Sequence, residues 1–436
     1  MRQRLARIIL TGLLTGYGLL GAGVPAWADE SAELKAEIEA LRERLATLER
    51  KVAQGGAGEL TGVSGIGEKP VATMELPSGL QGLGLSGYAD VSYLYNFNEQ
   101  NNFGNSGRVF DTEGNGFTIH AAEVVLEKAL SDATPIGFRT DLFFGDDAEV
   151  FHATGLGGGA TGTGIVDHFD LQQAYITLRT PVGEGLDVKV GKFVTLLGAE
   201  VIESPANWNF SRSYMFGYSI PFTHTGILAS YPTFGDLGST TFGVVNGWDI
   251  VDDNNKAKTF LGNVTVGPWS NLTLSSNFVY GAEQANNSHD QRGVLSSILT
   301  WTPHEQWALM FNWDYGHEED VIGGTDNGGW QGYALYARYS PLSWYSLANR
   351  VEWFNDQDGV RVAPAAPATA GAVLAGAGHG DVSYFEWTLT NEFKLSEHVL
   401  ARLEYRLDKA DAEVFRFDQG AADYMNTVAA ELIYHF

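Results

Sequence analysis

The chain has 436 residues, 53 of them glycine and none cysteine, with 12% aromatic and 18% charged side chains and a formal net charge of −26. The lack of cysteine excludes disulfides, thiolate metal sites, cysteine nucleophiles and a lipid-bearing cysteine. So acidic a balance argues against nucleic acid as a partner, and the glycine and aromatic content favours short strands with tight turns over a helical core.

Residues 1–28 read as a secretory signal peptide. Arg2, Arg4 and Arg7 precede an apolar run from Ile8 to Leu20, and Ala26-Trp27-Ala28 is a small-residue cleavage site. Residues 29–54 follow as a periplasmic coiled coil. Leu34, Ile38, Leu41, Leu45, Leu48 and Val52 alternate at spacings of four and three, a heptad seam. Glu37 and Arg44 would face Arg42 and Glu49 of a parallel neighbour with opposite charge, which allows self-association. A lone amphipathic helix is the alternative, since so few heptads make a marginal coiled coil. Residues 55–82, rich in Gly, Ser and Pro, form the linker.

From residue 83 to 436 the pattern has period two. Leu85, Ala89, Val91, Tyr93, Tyr95 and Phe97 share one face, while Ser86, Asp90, Ser92 and Asn96 share the other. Trp307, Leu309, Phe311, Trp313 and Tyr315 repeat it, as do Val428, Ala430, Leu432, Tyr434 and Phe436. Segments of this kind start near 83, 117, 136, 169, 186, 222, 239, 257, 271, 291, 307, 329, 345, 381, 398 and 424. About 16 strands of roughly ten residues predict an all-β, antiparallel outer-membrane β-barrel. Short turns at 181–185, 267–270, 302–306, 340–344 and 394–398 alternate with long loops near 98–116, 145–168, 195–221, 318–328 and 355–380. Tyr231, Trp269, Trp301, Trp307, Tyr339, Trp344, Phe393, Tyr434 and Phe436 cluster at the short-turn ends, where an interfacial aromatic girdle belongs. A soluble β-sandwich would explain the alternation but not this clustering.

The polar faces carry Arg139, Arg338, Arg350, Arg402 and Arg406 with many acids. In hydrocarbon each charge would cost several kcal/mol, so they are expected to line a wet interior. Singly, each has a second reading as a cross-strand ion pair that holds the wall together. The third long loop, 195–221, carries Trp208, Phe210, Tyr214, Phe216 and Tyr218 and is too aromatic to stay solvated. It is expected to pack, either inward as a constriction, outward against a neighbouring subunit, or as a surface cap. Folded inward, Glu200, Glu203, Asn207 and Arg212 become the constriction residues.

The run 190–226, VGKFVTLLGAEVIESPANWNFSRSYMFGYSIPFTHTG, resembles the β-barrel porin family described as OmpL-like, in which a strand ending in VGKF leads to a loop with an S-P-x-N-W-N and S-R-S-Y core. The resemblance spans residues 83–436 and implies an outer-membrane channel without enzymatic activity.

Other motifs are weaker. The glycine run 155–164 has no strand and helix around it and reads as an outer loop. Asn355, Asp356 and Asp358 suggest a calcium loop but lack its distal glutamate, so a solvated loop tip is expected. His224 and Ser230 share a strand face without an orienting acid, so no serine-hydrolase arrangement is expected. The reading is therefore a porin in a Gram-negative-type outer membrane, with no catalytic residues, cofactor or metal, bounded by lipid and assembled as a homotrimer through barrel wall and coiled coil. The alternative is a structural tether, with a plugged barrel and a coiled coil bound to peptidoglycan.

Overall fold

The computed structural model describes residues 82–98, 104–131, 134–156, 168–362, 380–417 and 420–436. The signal peptide, the coiled coil and, Gly82 apart, the linker lie outside the described residues.

The first eight barrel strands are β1 (Gly84–Asn96), β2 (Gly116–Lys128), β3 (Ile136–Phe144), β4 (Phe169–Thr180), β5 (Leu186–Val194), β6 (Thr223–Tyr231), β7 (Gly238–Val245) and β8 (Thr259–Trp269). They continue as β9 (Leu272–Ala282), β10 (Gln291–His304), β11 (Trp307–Ile322), β12 (Asp326–Leu342), β13 (Tyr345–Gln357), β14 (Val382–Lys394) and β15 (Val399–Ala410). A small hairpin, β16 (Phe415–Phe417) and β17 (Gly420–Ala422), interrupts the series before the last barrel strand, β18 (Tyr424–His435). Each barrel strand pairs with its neighbour in sequence, and β18 pairs antiparallel with β1, so sixteen strands close on themselves. Closure leaves no strand edge with unpaired backbone groups, the condition for a sheet to sit in lipid.

All sixteen strands begin within three residues of the starts expected from alternation. The pattern works because successive side chains point to opposite faces: in β1, Val91, Tyr93 and Tyr95 are exposed outward, whereas Asp90, Ser92 and Asn96 are buried inside. One connection differs. The loop expected at 318–328 is mostly strand, because the β11–β12 ladder runs on through Glu318↔Gly328 and Ile322↔Asp326. Its Gly and Asp residues imitate a turn while the backbone stays paired. On the same rim, crossings at 246–258, 283–290 and 411–423 are longer than the alternation suggested.

At the short-turn rim Trp269, Trp301, Trp307, Trp344, Tyr434 and Phe436 are exposed outward, and Trp307 stacks on Tyr339 with ring centres 4.6 Å apart. Tyr231, Tyr339 and Phe393 are only half exposed there. A second aromatic ring at the long-loop rim includes Phe97, Phe117, Phe144, Phe169, Tyr280 and Tyr315. Two apolar-to-aromatic borders on one cylinder are what a membrane slab demands of its solute.

The apolar core lies inside the barrel, towards the long-loop end. Phe110, Tyr214, Met215, Phe216, Ile220, Phe222, Trp330, Phe354 and Tyr384 belong to it. Inward-facing glycines make the room. A Cβ on Gly316 would stand 1.9 Å from the Trp330 ring, and one on Gly332 would stand 2.6 Å from Met215 Cγ.

Candidate functional site: a loop clamped inside the lumen

Between β5 and β6 the chain turns into the barrel. Residues 195–221 are shaped first by their own polar groups. Pro205 opens a 3₁₀ turn at Ser204–Ala206, and a π turn follows at Met215–Ser219. Asn207 accepts the Val201 N–H at 3.0 Å and donates to the Val201 and Glu203 carbonyls at 2.7 and 3.1 Å. Arg212 donates to the carbonyls of Phe210 at 2.6 Å and Ile202 at 2.7 Å. Backbone acceptors folded into a lumen are thus answered within the loop, as burial requires.

The loop is then fastened to one arc of the wall, β13–β15 and β18. Arg350 on β13 reaches Glu200 of the loop at 2.6 Å, the Ser211 carbonyl at 2.6 Å and Glu386 on β14 at 2.5 Å. Arg402 on β15 holds the Ser204 and Asn207 carbonyls at 3.1 and 2.6 Å, between Glu392 and Glu431. Arg406 donates to the Arg212 carbonyl at 2.6 Å and to Asp408 at 2.9 Å. Acids complete the clamp from the other side. Glu404 accepts the amides of Phe210 and Ser211 at 2.7 and 3.0 Å, and Glu352 those of Tyr214 and Met215 at 2.8 and 2.6 Å. Removing one partner of such a buried set leaves the others uncompensated, at a cost of roughly 3–5 kcal/mol.

Aromatic packing adds to the fastening. Trp330 Nε1 donates to the Ser219 carbonyl at 3.1 Å, and Trp208 meets the Tyr336 ring edge-on at 6.4 Å. Parts of other loops also enter. Phe110 lies 5.7 Å from both Phe216 and Phe222, and Arg108 bonds Asp408 at 2.5 Å. Asp356 does not sit on a solvated loop tip as expected. It is buried and accepts the amides of Val360, Arg361 and Val362 at 2.9, 3.0 and 2.7 Å, because the chain after it turns back over the lumen.

Across the barrel from the clamp the inward wall of β6–β9 is uncharged: Leu228, Val245, Leu261 and Val279 join the buried core, and nearer the short-turn end small polar groups follow. Ser230 and Thr241 hydroxyls are 2.8 Å apart, and Asn263 donates to Ser275 at 2.7 Å and Asn277 at 2.5 Å. Ser230, Asn263, Thr265 and Ser275 remain partly accessible. Beneath the loop, at the short-turn end, a cavity of about 620 Å³ opens between Trp208, Arg338, Thr302 and His304.

The residues expected at the constriction separate into two groups. Arg350, Arg402 and Arg406, expected on a wet wall, are covered by the loop and have at most 1% of the side chain accessible. Alternation marks them as inward but cannot say that a loop lies over them. Glu200 does not face a basic residue across water but touches Arg350 directly, and Asn207 and Arg212 serve the loop's own fold. Glu203 instead reaches the β2–β4 wall, where Gln172 on β4 donates to it at 2.7 Å, and burial pushes its carboxyl above the usual range. Arg338 pairs with Glu392, and Arg139 with Asp141 at 2.9 Å; both keep part of their side chains accessible. Glu352 and Glu404 were legible only as wall charges. Nothing in their own sequence marks them as acceptors for amides over a hundred residues away. His224 is buried against the Gly247 carbonyl at 3.0 Å and Thr195 at 3.2 Å, away from Ser230.

Residues 82–436 match the profile of a family described as "Putative beta-barrel porin-2, OmpL-like". No curated protein matches the chain by sequence. Among solved structures, an OmpF of Salmonella typhi in complex with daunomycin superposes with a TM-score of 0.55 at 11% identity, covering 83% of this chain and 100% of its own. An anion-selective porin from Comamonas acidovorans gives 0.54 at 11% identity, with 81% and 99% covered. An in-vitro folded OmpT of Vibrio cholerae, in trimer form, gives 0.50 at 11% identity over 81% and 99%. At this identity the three share the fold.

Proposed function

The chain belongs to the OmpL-like β-barrel porin-2 family, and from that premise we propose that it is an outer-membrane channel for passive diffusion of ions and small hydrophilic solutes. The observation that carries this reading is the one-sided fastening of the internal loop. All three arginines of the clamp lie on β13 and β15, whereas the facing arc of β6–β9 has no charged clamp to the loop and, below its buried Leu228, Leu261 and Val279, keeps the half-accessible Ser230, Asn263, Thr265 and Ser275. A water-filled path along that arc, narrowed by loop 195–221, would conduct solutes down their own gradients. Sixteen strands enclose a cylinder too wide for wall side chains alone to fill. No reaction step is part of this reading. The barrel wall would contact lipid, and three barrels would associate through their apolar exteriors, as the trimer form of a structural neighbour suggests.

The cysteine-free chain gives a direct test. Ser275→Cys, on the open arc, should react with a charged methanethiosulfonate and lose single-channel conductance in a planar bilayer. Thr388→Cys, beneath the clamp and fully buried, should neither react nor change. A folded protein without conductance would sink the channel and favour the tether with a plugged lumen, a rival supported by the depth to which the loops pack.

A further inference from the structure

Where the tip of the loop meets the wall away from the clamp, three carboxylates converge. Glu123 on β2, Asp141 on β3 and Glu203 of the loop each offer an oxygen within 4.8 Å of the other two. The β2–β3 register sets Glu123 opposite Phe143 and Val125 opposite Asp141, so the two wall acids are diagonal neighbours on the inner face. Neither is open to water: Glu123 is 4% exposed and Asp141 0%. Arg139 donates through Nε to both Asp141 oxygens at 2.9 and 3.0 Å and Gln173 Nε2 to one of them at 2.6 Å, so Asp141 is answered, but one guanidinium is the cation that faces three carboxylates. Taken together, these four groups have a formal charge of −2 when all are ionised.

A second, separate observation is the surplus of acceptors around them. Gln172, 0% exposed, gives its Nε2 to Glu203 at 2.7 Å, and its own Oε1 is buried with no hydrogen-bond donor. Glu123 Oε1 is buried without one as well. On β1 the buried Tyr88 stands opposite Glu123 with its hydroxyl unpaired, and Asp90, two residues on and 1% exposed, has both oxygens without a donor. Each unanswered buried acceptor works against the folded state. One added proton would answer one oxygen. A cation answers several at once.

We propose that Glu123, Asp141, Glu203 and the Gln172 side-chain carbonyl bind a calcium ion that ties the loop to the β2–β4 wall. An all-oxygen set of carboxylates with an amide carbonyl suits a hard cation. Three carboxylates drawn from separate segments fit the larger, adaptable shell of calcium better than the octahedron of magnesium, which keeps its waters. The ion would balance the residual charge and hold the loop on the side that the arginine clamp does not reach. Ligands from β2, β3, β4 and a loop have no common sequence spacing, which is why no cation motif is visible in the chain.

The test uses the full-length barrel folded in detergent, stripped with a chelator and titrated with CaCl₂ calorimetrically at physiological ionic strength. One saturable calcium per barrel is expected, with affinity reduced roughly tenfold or more in Glu203→Gln and in Glu123→Gln. Calcium should also raise the unfolding temperature of the parent and not of Glu203→Gln, with heat-dependent gel mobility showing that each variant is folded. If Glu123→Gln does not fold, Glu203→Gln alone decides. No saturable site in the parent, or an unchanged one in Glu203→Gln, overturns the proposal, and equal binding of MgCl₂ overturns the choice of calcium. Conductance of the same preparations reports on the channel separately, so either reading can fail alone.

Discussion

Asp249 shows how a single half-buried group can be read through pH. It lies in the 246–258 crossing and accepts the amides of Phe222 and Thr223 at 2.8 and 2.9 Å, tying the end of the internal loop to its neighbour. Burial nonetheless pushes its carboxyl up to about 6. The folded protein therefore retains a proton that the unfolded chain has already lost over the window from the usual carboxylate range to about pH 6. Stability from this group is complete below that window and lost as the pH rises through it. Asp249→Asn, which keeps an oxygen for both amides, should flatten this dependence and be at least as stable as the parent above pH 6. Urea midpoints measured across the window check it; a parent that gains stability there, relative to the variant, refutes it. At this scale the sequence was only partly readable. Arg350 and Arg402 were recognisable as inward, since a period of two sorts side chains into two faces. Their burial was not, because it depends on Ser211, Ser204 and Asn207, well over a hundred residues away.

Strands were the most legible elements, since each carries its own alternation and its partner is the next segment along. Loops were the least legible. The aromatic density of 195–221 showed that it must pack but left three places for it. The 98–116 connection is mostly polar and glycine, with Phe103, Arg108, Val109 and Phe110 scattered in it, yet Phe110 and Arg108 are buried, with Arg108 bonded to Asp408 three hundred positions away. The attachment of the 195–221 loop can be tested as an element. Glu352→Ala removes the acceptor of two buried amides, at roughly 1–3 kcal/mol for each. The wall ladder that supports Glu352 stays intact, so the loop should loosen while the barrel stays closed. Limited proteolysis should then cut within 195–221, and single-channel traces should show larger or noisier conductance. A variant as resistant and as quiet as the parent would mean that the remaining contacts fix the loop without Glu352.

At the scale of the whole molecule, the outer surface is written by membrane thickness and the inner one by the loops. That division explains why architecture was accessible from one sequence and the lumen was not. Lipid imposes the same demand on every strand and so repeats along the chain. Each lumen contact is unique. One further consequence follows from the seam between β1 and β18, where Gly87 and Phe436 exchange backbone hydrogen bonds at 3.3 and 3.0 Å. Every other wall contact joins successive hairpins, so the cylinder has a single junction between distant parts of the chain, and nothing in its geometry distinguishes that junction from the others. A circular permutant of residues 82–436 that joins Phe436 to Gly82 through a short glycine linker and opens the chain at the 394–398 turn should therefore refold to the same heat-resistant species. Because loop closure grows costly only slowly with length, it should do so at least as fast as the parent barrel with its original ends. In stopped-flow refolding, a slower permutant would mean that the order in which hairpins are added, and not the meeting of the two ends, sets the pace of assembly.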